Sequence, residues 1–170
     1  MDINEKIELL EKNLARQLEW IRAADTKIAP VIFITTFLLG TSVAFISIAP
    51  VLSGFTIAFA IICIGMLLYT LLNIIMVNFP RIARNDESSI FFEGVRATDY
   101  AGFEKKIASM TRETYFHDLA NTCYENALIA SVKFGYVKKA MLGLFLAIIP
   151  WVVLVYIIFT YYPVKELLGK

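Results

Sequence analysis

Charge is missing from two long stretches of this chain. No Asp, Glu, Lys or Arg occurs in the 53 residues from Ile28 to Pro80, nor in the 25 from Ala140 to Val164. An ionised side chain at the bilayer centre costs at least about 2.5–3.5 kcal/mol, so uncharged apolar runs of this length are what lipid selects for. These stretches define an integral membrane protein. Histidine occurs once. His117-Asp118 looks like the dipeptide of metal-dependent phosphohydrolases, but such a site needs further histidines, so no metal is expected. The two cysteines, Cys63 inside an apolar run and Cys123 outside one, exclude a disulfide framework. Cys123 and His117 are six residues apart, which on a helix places them on different faces and excludes a nucleophilic pair. Gly94 and Gly102 are isolated, so no loop cradles a phosphate. A net charge of +1 gives no basis for nucleic-acid binding. No catalytic residue and no cofactor is expected; the chain does not read as an enzyme. The apolar runs also lack the ionisable groups that ion-coupled carriers place at the midplane.

What is present organises the chain. A spanning helix needs about 20 apolar residues, so the first run holds two crossings, broken at Ile48-Ala49-Pro50-Val51-Leu52-Ser53-Gly54. The spans are expected near 28–49, 54–78 and 140–162. Lys and Arg number five in residues 1–27, nine in 81–139, none in the 49–54 turn and two after Val164. That bias places the N-terminus and residues 81–139 in the cytoplasm and the C-terminus outside. Eleven charges ahead of the first span make a cleaved signal peptide unexpected. The expected fold is therefore an all-α integral membrane protein. Its parts are an N-terminal amphipathic cytoplasmic helix (1–27), a two-span transmembrane hairpin (28–80), a helical cytoplasmic segment (81–139), a third transmembrane helix (140–164) and an extracytoplasmic tail (165–170).

Ile3, Ile7, Leu10, Leu14 and Ile21, with Leu18, form one apolar seam in the first helix, among Glu5, Lys6, Glu8, Glu11, Lys12 and Arg16. The seam packs either on the protein's own cytoplasmic helices or on a second subunit. Residues 81–139 open with Arg81, Arg84 and the polar run Asn85-Asp86-Glu87-Ser88-Ser89, followed by Ile90-Phe91-Phe92-Glu93-Gly94. Thr98 or Asp99 is placed to cap a short helix through Met110, and Thr111 to cap a longer one. No strong breaker follows Thr111 apart from Gly135 and Gly143, so one helix is expected to run into the third span. Thr36, Gly40 and Ala44 put a small residue on every fourth position of the first span, the pattern that lets backbones approach closely. Its partner is either another span of the chain or another subunit. Asn73 and Asn78 are suited to bonds across helices or to reaching interfacial water.

Lys27, Arg81, Arg84, Lys138 and Lys139 flank the spans, where cations satisfy topology and contact anionic lipid. Phe91, Phe92, Arg96, Tyr100, Phe103 and Tyr115 set rings among further cations. A ring to stack on a planar base and a cation to hold a phosphate suit a small nucleotide. Lys27, Phe92, Arg96, Tyr100 and Lys133 are the candidate ligand contacts by charge, ring and position.

Ala24-Asp25-Thr26-Lys27 before a membrane hairpin, then Ile90-Phe91-Phe92, Tyr100 and a late Lys133 before a last span, resemble the transmembrane effectors of bacterial Pycsar antiphage systems. The resemblance covers about residues 5–155. It implies an antiphage effector at the bacterial inner membrane. The effector answers cyclic CMP or cyclic UMP, made by a partner pyrimidine cyclase that need not touch it. It then impairs membrane integrity, giving abortive infection. Three uncharged spans make a poor pore alone, so a homo-oligomer in the lipid bilayer is expected. A ligand-independent membrane scaffold or accessory subunit, or a small constitutive channel, is the alternative.

Overall fold

Two helices far longer than a membrane is thick dominate the computed structural model, which describes residues 1–49, 52–79 and 88–161. Pro50, Val51, Arg81, Arg84, the polar positions 85–87 and the 165–170 tail lie outside the described residues. The elements are α1 (Ile3–Ile48), α2 (Gly54–Asn78), α3 (Phe92–Ala97), α4 (Tyr100–Ala108) and α5 (Arg112–Tyr161). Among the described residues there is no strand. α1, α2 and α5 each contain a stretch long and apolar enough to span a bilayer. At about 1.5 Å per residue, the 50 residues of α5 extend roughly 75 Å, against a hydrocarbon core of about 30 Å. The expected continuation from Thr111 into the third span is observed. The same continuity in α1 was not expected: the amphipathic helix and the first span are one 46-residue helix. No residue between Ala24 and Val31 stops it. Pro30 lies inside the helix, where a proline removes one backbone bond that membrane helices tolerate losing.

Side-chain caps fix the starts of α2, α4 and α5. Ser53 accepts the Thr56 N–H at 3.2 Å, Asp99 accepts that of Gly102 at 3.0 Å and Thr111 that of Thr114 at 3.2 Å. Asp99, rather than Thr98, is thus the cap of the short helix.

The chain divides into two compact units. Unit 1 comprises Met1–Ala24 and Pro80–Lys133; unit 2 comprises Asp25–Phe79 and Phe134–Lys170.

With Asn73, Gly143 and Ile157 among the exceptions, most buried positions in unit 2 follow an alternation of four and three. They are Ile28, Val31, Thr35, Leu38 and Ser42 on α1, and Thr56, Ala60, Cys63, Leu67, Thr70, Ile74 and Val77 on α2. On α5, Val137, Ala140, Leu144, Ala147, Leu154 and Ile158 keep the same phase. A 3.5-residue period is the signature of knobs-into-holes packing. Between helices, Ser42 Oγ lies 3.7 Å from Cys63 Sγ, and the Trp151 indole N–H donates to Thr41 Oγ1 at 3.1 Å. Phe45 and Phe159 meet edge to face at 5.7 Å. At Gly143, α5 packs tightly against α2. A Cβ there would stand 2.6 Å from Thr70 Oγ1 and 3.0 Å from Tyr69 Cδ1. Thr35, Ser42 and Thr70 donate their hydroxyls to carbonyls one turn back, which satisfies them in an apolar setting. Asn73 and Asn78 do the same, to Tyr69 O at 2.8 Å and Ile74 O at 3.1 Å, rather than bonding across helices. Thr36, Gly40 and Ala44 are all exposed, and nothing lies within 4 Å of where a Gly40 Cβ would be. The small-residue stripe therefore does not pack on the chain's own spans. The buried seam runs one position earlier, through Thr35.

In unit 1, α1 and α5 run in the same direction. Arg112 Nη1 donates to Asn4 Oδ1, the Tyr115 hydroxyl to Glu11 Oε1 at 2.8 Å, and Cys123 Sγ to the Leu10 carbonyl at 3.4 Å. The first-helix seam packs here, on the chain's own α5. Its fifth member is Gln17, 5 % exposed, where Leu18 was expected; Leu18 is exposed. The spacing through Ile3, Ile7, Leu10, Leu14, Gln17 and Ile21 is again four and three.

Candidate functional site

The site in unit 1 is assembled by one carboxylate. Asp118 accepts the Ser88 hydroxyl at 2.5 Å and the Ser89 N–H at 2.7 Å. Ser88 Oγ in turn accepts the N–H groups of Ile90 at 3.1 Å and Phe91 at 2.9 Å. Three successive backbone donors are thus satisfied by Asp118, directly or through Ser88, and the short segment ahead of α3 is tied to the face of α5. Asp118 is thereby given a structural task. The neighbouring His117 is exposed, with its ring edge-on to Phe116 at 5.4 Å.

This tie separates the two phenylalanines. Phe91 is 6 % exposed and belongs to the core, whereas Phe92 is 59 % exposed. Their rings lie 4.9 Å apart at 41°. Beside them runs a groove of about 460 Å³ between α1 and α5. Leu14, Leu18 and Ile21 form one wall; Thr122, Asn126, Ile129 and Lys133 form the other; Ile90, Phe91 and Phe92 lie along it. Its size falls within the range of small-molecule sites, about 300–1,000 Å³. The polar groups are few: the Thr122 hydroxyl, the Asn126 amide, whose Nδ2 donates to Thr122 O at 2.9 Å, and the Lys133 ammonium. Asn126 and Lys133 both occupy seam positions of α5 (Leu119, Cys123, Asn126, Ala130, Lys133), where packing alone favours apolar side chains.

Of the five candidate contacts, Phe92 and Lys133 line this one groove. Arg96 on α3 and Tyr100 on α4 belong to the same unit, but both are exposed and neither lines it, Tyr100 being 80 % exposed. Lys27 belongs to unit 2, with its Nζ 5.7 Å from the centre of the Phe134 ring. Sequence reasoning missed Gln17, whose Oε1 is buried without a partner, as are Ser89 Oγ and Glu93 Oε2. An orphaned buried acceptor costs about 1–3 kcal/mol. The signal for Gln17 was present as a polar residue on the four-three period of an otherwise apolar seam. Nearby, the hydrogen bond to the Glu11 carboxylate holds the Tyr115 hydroxyl above the usual phenol range. Burial pushes the Cys123 thiol up. Among the described residues no group of His, Cys, Asp or Glu is arranged to hold a metal ion.

Three apolar spans, two of them in helices that also wall a groove, define an all-α membrane protein. The chain belongs to the Pycsar effectors: the family model described as Pycsar effector protein domain matches residues 9–160. Membership gives it a role as a membrane effector in antiphage defence, in systems whose general signal is a cyclic nucleotide from a partner cyclase. No curated protein and no solved structure matches the chain.

Proposed function

We propose that the unit 1 groove receives cyclic CMP or cyclic UMP, and that binding leads the spans to impair the bacterial inner membrane and cause abortive infection. One observation carries this reading. In a family whose signal is a cyclic nucleotide, the groove puts an exposed ring, Phe92, and a cation, Lys133, on walls of otherwise apolar character. Phe92 offers a stacking face for the base, and Lys133 a counter-charge for the cyclic phosphate. The chemistry required is binding, not catalysis.

Both walls belong to helices that continue as spans, so a ligand that binds one spacing of α1 and α5 better than another shifts the population of that spacing. Self-association then uses the exposed Thr36, Gly40 and Ala44 face, because the 3–21 seam is occupied within the chain. By the bias of Lys and Arg, the N-terminus is cytoplasmic.

The test is equilibrium binding of detergent-purified protein to cyclic CMP, cyclic UMP, cyclic AMP, cyclic GMP and a cyclic dinucleotide. Saturable binding of one pyrimidine, weakened at least ten-fold by Phe92→Ala and by Lys133→Gln, is expected. Folded protein that binds none of them would sink the ligand assignment. Crosslinking that finds one assembly with and without nucleotide would sink the self-association step.

A further inference from the structure

Unit 2 carries a second cleft, of about 370 Å³, that neither the spans' packing nor the nucleotide reading uses. Its lining is graded. Lys27 of α1 and Lys138 of α5 are at one end, and Phe134, Met141, Leu142 and Phe145 line the rest. Positions 134, 138, 141, 142 and 145 fall on one face of α5. From Lys138 to Phe145 that face descends roughly 10 Å along the helix axis. Both lysines stand at the limits of the uncharged runs: Lys27 is the last charge before the 28–80 stretch, and only Lys139 separates Lys138 from the 140–164 stretch. The cations therefore lie at headgroup depth and the apolar part at acyl-chain depth. Met141, Leu142 and Phe145 are exposed, so the cleft is open on the side that faces lipid.

The geometry points to a binding site for one anionic glycerophospholipid. Lys27 and Lys138 together hold the single uncompensated phosphate charge of the headgroup, and an acyl chain lies along Met141, Leu142 and Phe145. Charge complementarity selects the headgroup, since a zwitterionic lipid presents its own cation to the same two ammonium groups. The apolar strip selects a lipid over a soluble phosphate, which has nothing to place there. The Phe134 ring supports Lys27, whose ammonium lies 5.7 Å from its centre. Lys139 is an internal control: it stands over the Tyr136 ring at 5.2 Å and does not line the cleft.

The experiment is native mass spectrometry of the full chain released from nanodiscs of phosphatidylcholine with phosphatidylglycerol, without nucleotide. Wild type is expected to retain phosphatidylglycerol preferentially, with apparent affinity falling roughly five-fold for each of Lys27→Gln and Lys138→Gln, as expected for an interfacial lysine. Leu142→Trp, which fills the cleft and keeps both charges, is expected to abolish retention; Lys139→Gln is expected to leave it unchanged. Three results would overturn the proposal: an equal loss in Lys139→Gln, which means diffuse surface charge; undiminished retention in Leu142→Trp; or displacement of the lipid by glycerol phosphate, which means a headgroup-only contact. Circular dichroism and melting of each variant confirm that it is folded, so a loss of lipid is read only from folded protein.

Discussion

Removing the Asp118 carboxylate should free residues 88–91 from α5 without unfolding α5. Asp118 accepts two bonds, at 2.5 and 2.7 Å, and Ser88 relays its hold to the amides of Ile90 and Phe91. Hydrogen bonds to a charged group contribute about 1.5–3 kcal/mol each. Asp118 is only half-buried, so the lower end applies, and the pair together is worth about 3 kcal/mol to the docked segment. At 1.4 kcal/mol per factor of ten, even 2 kcal/mol corresponds to a roughly 30-fold rise in opening. Hydrogen exchange of the detergent-solubilised protein reads this directly. In Asp118→Ala the amides of Ser89, Ile90 and Phe91 should exchange at least about 30-fold faster, while amides in the body of α5 should not change. Ser88→Ala divides the effect: Ile90 and Phe91 speed up, while Ser89, which donates to Asp118 itself, is spared. If Asp118→Ala moved the three amides by less than about three-fold, the tie would not be what holds the segment. The Phe92 face of the groove would then need another explanation.

The paired phenylalanines should part in their effects. Phe91→Ala should destabilise by about 3–5 kcal/mol as a truncated core aromatic. Phe92→Ala should leave the melting temperature nearly unchanged and weaken nucleotide binding. Gly143→Val should destabilise by about 1–3 kcal/mol by overpacking against Tyr69 and Thr70. Gly40→Val, with open space around it, should stay within about 0.5 kcal/mol in monomeric protein; thermal unfolding in detergent compares the two. Glu11 raises the Tyr115 phenol above its ordinary value, so the stability from this contact is present below about pH 10 and is lost as pH rises through the raised value. Difference spectra of wild type against Tyr115→Phe should show a phenol whose midpoint drops when Glu11→Gln is introduced. An unmoved midpoint would remove the contact from the list of ties between α1 and α5.

Membrane residence, the number of spans, the all-α class, the 50-residue reach of α5 and the capping role of Thr111 were legible in the residues alone. Hydropathy and capping are properties of short windows, and a charge-free run has one low-energy environment whatever else the chain does. The α1 seam was half legible. Its four-three spacing continues unbroken from Ile3 through Gln17 to Ser42, whereas the small residues at 36, 40 and 44 lie on an exposed face beside it. Composition ranks residues by size and polarity, whereas burial follows the phase of the period, and Gln17 obeys that phase despite being polar.

Other features required the tertiary structure because they join residues distant in sequence. Asp118 meets Ser88 and Ser89 across about thirty residues, and Glu11 meets Tyr115 across 104. Nothing within either local window distinguishes Asp118 from a solvated carboxylate. The grouping of Phe92 with Lys133, and of Lys27 with Lys138, is likewise a matter of which helix faces meet when α1 and α5 run in parallel. The sequence by itself determined where the chain must leave water, because the free energy of transfer adds up residue by residue. Only the tertiary structure decided which side chains share a groove, because that depends on the relative phase of two helices more than a hundred residues apart.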